Sequence, residues 1–119
     1  MNPANMHDND KPTVIYSEYE SEPAIAEILG VFTDSLTAMI ADMRSAMRGG
    51  DDRRLTSLAH QLKGAGGGYG YPMLTAVAAQ LEQAAKERDW EIAAAYVAKI
   101  ESLCAAVLRG RNSQTGGQS

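Results

Sequence analysis

His60 stands in the setting best suited to covalent chemistry in this 119-residue chain. Residues 59–72 read AHQLKGAGGGYGYP, so the imidazole is followed by a cation at Lys63 and a bare position at Gly64. With Leu55 as origin of a helical wheel, Leu55, Leu58, Leu62 and Gly66 cluster within about 40–60° of their mean. His60 lies roughly 155° from that mean and faces outward. Gly64 and Gly67, one and two turns later, share its side, and Lys63 can lean toward it. An exposed imidazole has an unperturbed pKa of about 6.5 and keeps a lone pair near neutral pH. Such a group can act as a nucleophile toward an anion, with Lys63 stabilising an incoming or attached phosphoryl group. The missing side chain at Gly64 lets a second protein bring its reacting atom within bonding distance.

Five of the eleven glycines fall between Gly64 and Gly70. Each interior glycine costs a helix about 1 kcal/mol relative to Ala, so the run needs a local reason. Either the helix stops at Lys63 and a loop follows, or the glycines keep a surface bare for something bulky. The wheel favours the second.

Other chemistries fit poorly. A phosphate-binding loop needs GxxxxGK[ST] after a strand, whereas Lys63 precedes the glycines. The GxGxxG fingerprint fails because Tyr69 and Tyr71 stand where its last glycine would fall. His7 and His60 are the only histidines and Cys104 the only cysteine, which leaves no metal-ligand set and no disulfide framework. His7 sits in a polar N-terminal segment and is assigned no role. Cys104 reads as a buried, inert thiol at the edge of an apolar stripe.

The net charge of -4 argues against a general nucleic-acid binder. From Arg44 to Gly68, however, Arg44, Arg48, Arg53, Arg54 and Lys63 face only Asp51 and Asp52. A locally basic rim would assist encounter with an acidic partner. No apolar run approaches a membrane span, and the start has no signal-peptide core. A soluble cytoplasmic protein is the expectation.

The composition places His60 in an all-helical chain. Hydrophobic residues make up 45% of the chain, only 6% are aromatic and 19 are Ala, favouring helices packed through small side chains. The first helix should begin near Ser21–Pro23, carry Ile25, Ile28, Leu29, Phe32, Leu36, Met39, Ile40, Met43 and Met47, and stop at Gly49–Gly50. Asp51 or Asp52 caps a second, with Leu55, Leu58, Leu62 and Tyr69 inward, punctuated by Gly70 and Pro72. A third carries Leu74, Val77, Ala78 and Leu81 and finishes near Arg88. A fourth, capped by Asp89, presents Ile92, Tyr96, Ile100, Leu103 and Val107. Val14–Tyr16 reads as a lead-in of about one helical turn. The expected fold is therefore all-α: an antiparallel up-and-down four-helix bundle over 13–109, with disordered tails at 1–12 and 110–119.

His60-Gln61-Leu62-Lys63-Gly64, with Gly70 ten residues after the histidine, resembles the H-x-L-K-G-x5-G signature of histidine-containing phosphotransfer (HPt) domains. The resemblance extends from about Ser21 to Leu108. It implies a phosphorelay intermediate without kinase activity of its own. His60 would accept a phosphoryl group from a receiver-domain aspartate and pass it to another receiver domain. Lys63 would be the phosphate-stabilising lysine, Gly64 the steric-clearance glycine, and Gln61 a neighbour with at most a helper role. The implied partners are response-regulator receivers and a hybrid sensor histidine kinase. Magnesium would belong to the receiver, and the protein itself would be a monomer without a cofactor. A histidine-kinase dimerisation helix fits less well, since Gln61 and Gly64 replace its acidic residue and proline. The alternative from another class is a helical adaptor that docks on a receiver or kinase without carrying phosphate.

Overall fold

Three connections of three residues each leave successive helices no choice but to run antiparallel. The computed structural model describes residues 14–18 and 23–116, with side chains described for 14–18 and 29–110. It contains α1 (Pro23–Arg48), α2 (Asp52–Gly68), α3 (Pro72–Lys86) and α4 (Trp90–Gly116), and no strand among the described residues. Each helix packs on its neighbours in the chain, and α4 returns to α1 to close the ring. The fold is the four-helix bundle expected from the periodicity.

Local chemistry accounts for the boundaries. Proline opens both α1 and α3, where the first backbone N–H has no helical partner to lose. Gly50, at φ +63°, ends α1, and the Asp51 N–H returns to the Ala46 carbonyl. The Asp51 side chain accepts from the Arg54 N–H at 3.0 Å and starts α2. Arg88 takes the left-handed conformation at φ +57° after α3, and Asp89 then accepts from the Ile92 N–H at 3.3 Å to start α4. The Ser cap expected at 21 and the tail 1–12 lie outside the described residues, as do the side chains of Ile25 and Ile28.

The core is filled by Leu29, Leu36 and Met43 from α1, Leu55 and Leu62 from α2, Leu74 and Leu81 from α3, and Ile100 and Val107 from α4. At one end Phe32 stacks on Tyr69 and Tyr71, at centroid distances of 4.6 and 5.8 Å. The tyrosines of the glycine-rich segment are thus packing residues.

Three expectations change. The buried face of α4 is Ala93, Val97, Ile100, Cys104 and Val107, while Ile92 is 47% exposed and Tyr96 and Leu103 are half-buried. Large side chains had marked a stripe about one residue off. The small Ala93 is what faces the bundle, because it lets α4 approach closely. The lead-in is not a helical turn: residues 14–17 are irregular, and the Ile15 N–H donates to Ala106 and the Glu18 N–H to Gly70, at 3.1 and 2.8 Å. Finally, α4 runs on to Gly116 instead of giving way to a tail at Gly110. Gly110 is buried beneath the lead-in, where a Cβ would collide with the Ile15 carbonyl, so this glycine serves a close crossing and not a stop.

Candidate functional site

The helical face that the wheel assigns to His60 is the face it occupies. Its side chain is 66% exposed midway along α2, with Ala59 and Leu62 buried on the opposite side. Neighbouring helix α3 supplies what the sequence reading missed. Glu82, only 8% exposed, sets one carboxylate oxygen 3.1 Å from His60 Nδ1 and the other 2.7 Å from Lys63 Nζ. Lys86 Nζ, one turn further along α3, lies 3.6 Å from the oxygen that meets His60.

Glu82 is held ionised. The hydrogen bond from Lys63 lowers its pKa below the ordinary 4.5 and outweighs the upward push of burial. The His60 hydrogen bond and the charges of Lys63 and Lys86 act in the same downward direction. An ionised carboxylate can only accept, so Nδ1 of His60 must donate to it. The neutral ring is thereby set in the Nδ1–H tautomer, and its lone pair points from Nε2 into solvent. This is the state a nucleophilic imidazole needs.

Lys63 does not stand free beside His60 as the spacing alone suggested. It is tied to Glu82, and through that carboxylate it shares a charge cluster with the imidazole. Gln61 is exposed and lines an open cleft of about 440 Å³ between α2 and α3, whose other charged or titratable lining residues are Asp52, Arg53, His60, Glu82 and Lys86.

The glycines divide by function. A Cβ at Gly64 would meet nothing within 4 Å, so the turn after His60 is bare. At Gly66 a Cβ would lie 3.0 Å from Leu74 Cβ and 3.1 Å from the Thr75 backbone nitrogen. At Gly67 it would lie 3.2 Å from Thr75 Oγ1. Keeping a surface open explains Gly64, whereas the missing side chains at Gly66 and Gly67 leave room for Leu74 and Thr75 of α3; Gly67, which the wheel placed on the bare side with His60, therefore has α3 beside it. The α2 helix accordingly continues through the run to Gly68.

The expected basic rim is largely neutralised. Arg44 pairs with Glu101, Arg54 with Asp42 at 3.3 Å, and Lys63 with Glu82. Arg53 stays at the cleft together with Asp52, and Lys86 is there as a second partner of Glu82 at 3.6 Å. Glu82 and Lys86 did carry a faint signal in the sequence. A carboxylate on the shoulder of the Ala78–Leu81 stripe, with a lysine four residues on, is out of place on an apolar face.

Cys104 is buried in α4 and its thiol is pushed up to about 12, chiefly by burial and secondarily by Glu101. It is an inert core residue. Among the described residues, no three His, Cys, Asp or Glu side chains converge to hold a metal ion. No helix among them is long and apolar enough to cross a membrane. His7 lies outside the described residues.

A family model for the Hpt domain matches residues 27–110, from the first turns of α1 to Gly110 in α4. The chain belongs to the Hpt domain family. No curated protein and no solved structure gives a significant match. As an Hpt domain, the protein has a general role in phosphorelay phosphotransfer, in a family of phosphocarriers that meet receiver domains and kinases and have no kinase activity. The matched span includes all of α2 and α3, and therefore His60, Lys63, Gly64 and Glu82 together.

Proposed function

We propose that His60 is the phosphoacceptor of this Hpt domain, taking a phosphoryl group from a receiver aspartate and passing it to a second receiver. The observation that carries this reading is the Nδ1–H donated to Glu82, which leaves the exposed Nε2 lone pair as the nucleophile. That lone pair attacks the phosphorus of an aspartyl phosphate. The P–N bond forms, the P–O bond breaks, and the electron pair leaves on the aspartate carboxylate. The ring becomes a phosphoimidazolium that still holds its Nδ1 proton against Glu82. In the onward step an incoming aspartate attacks phosphorus and neutral imidazole departs. No proton has to move in either direction, and both steps need the same tautomer.

Lys63 stabilises the phosphoryl group, which brings about -1.5 to -2 charges to the site. It exchanges its bond to Glu82 for one to phosphate, or shares itself between them. Gly64 admits the receiver's reacting edge. Gln61, exposed on the cleft, helps at most in contacts beside it. Magnesium and most of the electrostatic catalysis belong to the receiver in this reading. The partners are response-regulator receivers and a hybrid sensor histidine kinase, and the carrier works as a cytoplasmic monomer.

The test is incubation with a phosphorylated receiver, comparing wild type with His60→Gln. Acid-labile, alkali-stable label on the wild type alone is the expected result. Equal binding with no label on either protein would replace the carrier with a non-catalytic adaptor. A Lys63→Ala variant should take up label more slowly, and uptake at the wild-type rate would remove the role given to that lysine.

A further inference from the structure

Lys63 joins α2 to α3 at two points. Its side chain holds Glu82 at 2.7 Å, and its backbone carbonyl accepts a hydrogen bond of 2.6 Å from the Thr75 hydroxyl. Thr75 and Glu82 are seven residues apart, two turns along α3 on nearly the same face. A threonine within a helix commonly turns its hydroxyl to the carbonyl four residues back, which here would be Tyr71. Thr75 instead directs its donor across the helix interface. Gly66 and Gly67 make this possible, because side chains there would press on Thr75 at 3.1 and 3.2 Å.

We infer that Thr75 is a positioning residue for phosphotransfer. Its bond to the Lys63 carbonyl sets the slide and rotation of α3 on α2, and so delivers the Glu82 carboxylate to His60 Nδ1. The hydroxyl acts on the imidazole without touching it. A crossing held by packing alone could shift by some tenths of an ångström at little cost, and a hydrogen bond two turns away would feel that shift. The consequence for phosphotransfer rests on His60 being the phosphoacceptor; the effect on the ring does not.

The experiment uses the full chain with Thr75→Val, which keeps the shape and removes the hydroxyl, and Thr75→Ser, which restores the donor. A third variant, Gly67→Ala, presses a methyl on the same hydroxyl while raising helix propensity. Nitrogen-15 NMR of the His60 ring reports the share of neutral imidazole carrying its proton on Nδ1, with Glu82→Ala as the reference for a released ring. Labelling by a phosphorylated receiver and thermal unfolding are measured in parallel. Thr75→Val should move the ring toward the Glu82→Ala spectrum and slow labelling by about tenfold. Thr75→Ser should match the wild type in both. Gly67→Ala should move the ring in the same direction as Thr75→Val without lowering the melting temperature, so a poorly folding valine variant does not remove the test. A wild-type ring spectrum in Gly67→Ala, and in Thr75→Val if it folds, would overturn the inference and leave Thr75 a packing residue. If the ring responds but wild-type protein takes no label, the positioning stands and the phosphoacceptor reading fails.

Discussion

The outer and inner faces of α2 use the same residue for opposite ends. Gly64, on the outer face beside His60, has open space where its side chain would be, and Gly66, two residues on, has α3 there instead. One absent Cβ gives a partner protein access to the imidazole. The other gives a neighbouring helix access to the backbone, and that close approach brings Glu82 to His60. Both glycines weaken the isolated helix by about 1 kcal/mol relative to Ala, so neither is kept for α2 alone. A glycine run inside a helix therefore need not have a single cause. Here the exposed nucleophile and the carboxylate that orients it depend on different members of the run.

Six substitutions, the two Gly→Ala changes forming one pair, put that contrast to the test. The largest falls on the inner face, where Leu62→Ala removes a fully buried side chain; unfolding by denaturant should report a loss of about 2–5 kcal/mol. On the outer face, Gly64→Val should fold, yet slow phosphoryl uptake from a receiver about 100-fold, because about 1 Å of misplacement suffices for such a loss. A fast Gly64→Val carrier would mean that the bare turn is not an approach path.

The two glycines should next differ in sign when each is changed to Ala. Gly64→Ala should stabilise by up to about 1 kcal/mol through helix propensity. Gly66→Ala should destabilise by about 1 kcal/mol, since its methyl meets the α3 backbone at 3.1 Å and overpacking outweighs the propensity gain. Equal melting temperatures for the pair would erase the distinction between the faces.

Glu82→Gln tests the bridge between them through pH. The native carboxyl titrates below its ordinary 4.5, so its ionised form contributes stability that is fully present above that value. This contribution disappears as pH falls through the lowered native pKa. The stability gap between wild type and Glu82→Gln should therefore be constant near neutrality and close in acid; a gap that persists at low pH would point to lost packing instead. The smallest effect concerns α4: Ile92→Ser, on the exposed side, should change stability by no more than about 0.5 kcal/mol. A large loss there would restore the face first read from the sequence.

Much of the fold was legible because helix signals are local. Asp51 and Asp89 cap, Gly50 stops and Pro72 starts a helix through bonds to residues within one or two turns, and each does so where the sequence suggested. The outward direction of His60 followed from the apolar stripe of its own helix. Less legible was anything that needs a second element. The α4 stripe was misread by one position because bulky Ile92 outweighed Ala93, although a small residue is what a close helix contact selects. Gly110 looked like the end of order and is instead the point where the lead-in crosses α4. The basic rim counted charges along the chain, while Glu101 and Asp42 reach Arg44 and Arg54 from other helices.

Periodicity alone was enough to read four helices, an outward-facing histidine at position 60, a lysine three residues after it and a bare turn beyond, because 3.6 residues per turn is enough to calculate a helix's own faces. That a carboxylate 22 residues away orients the ring and restrains the lysine emerges from the packing of one helix on another. Which side chain of α3 stands opposite His60 depends on how far and at what angle the two helices pack. That geometry is set by Gly66, Gly67 and Thr75 meeting across the interface, a contact that no periodicity within either helix contains.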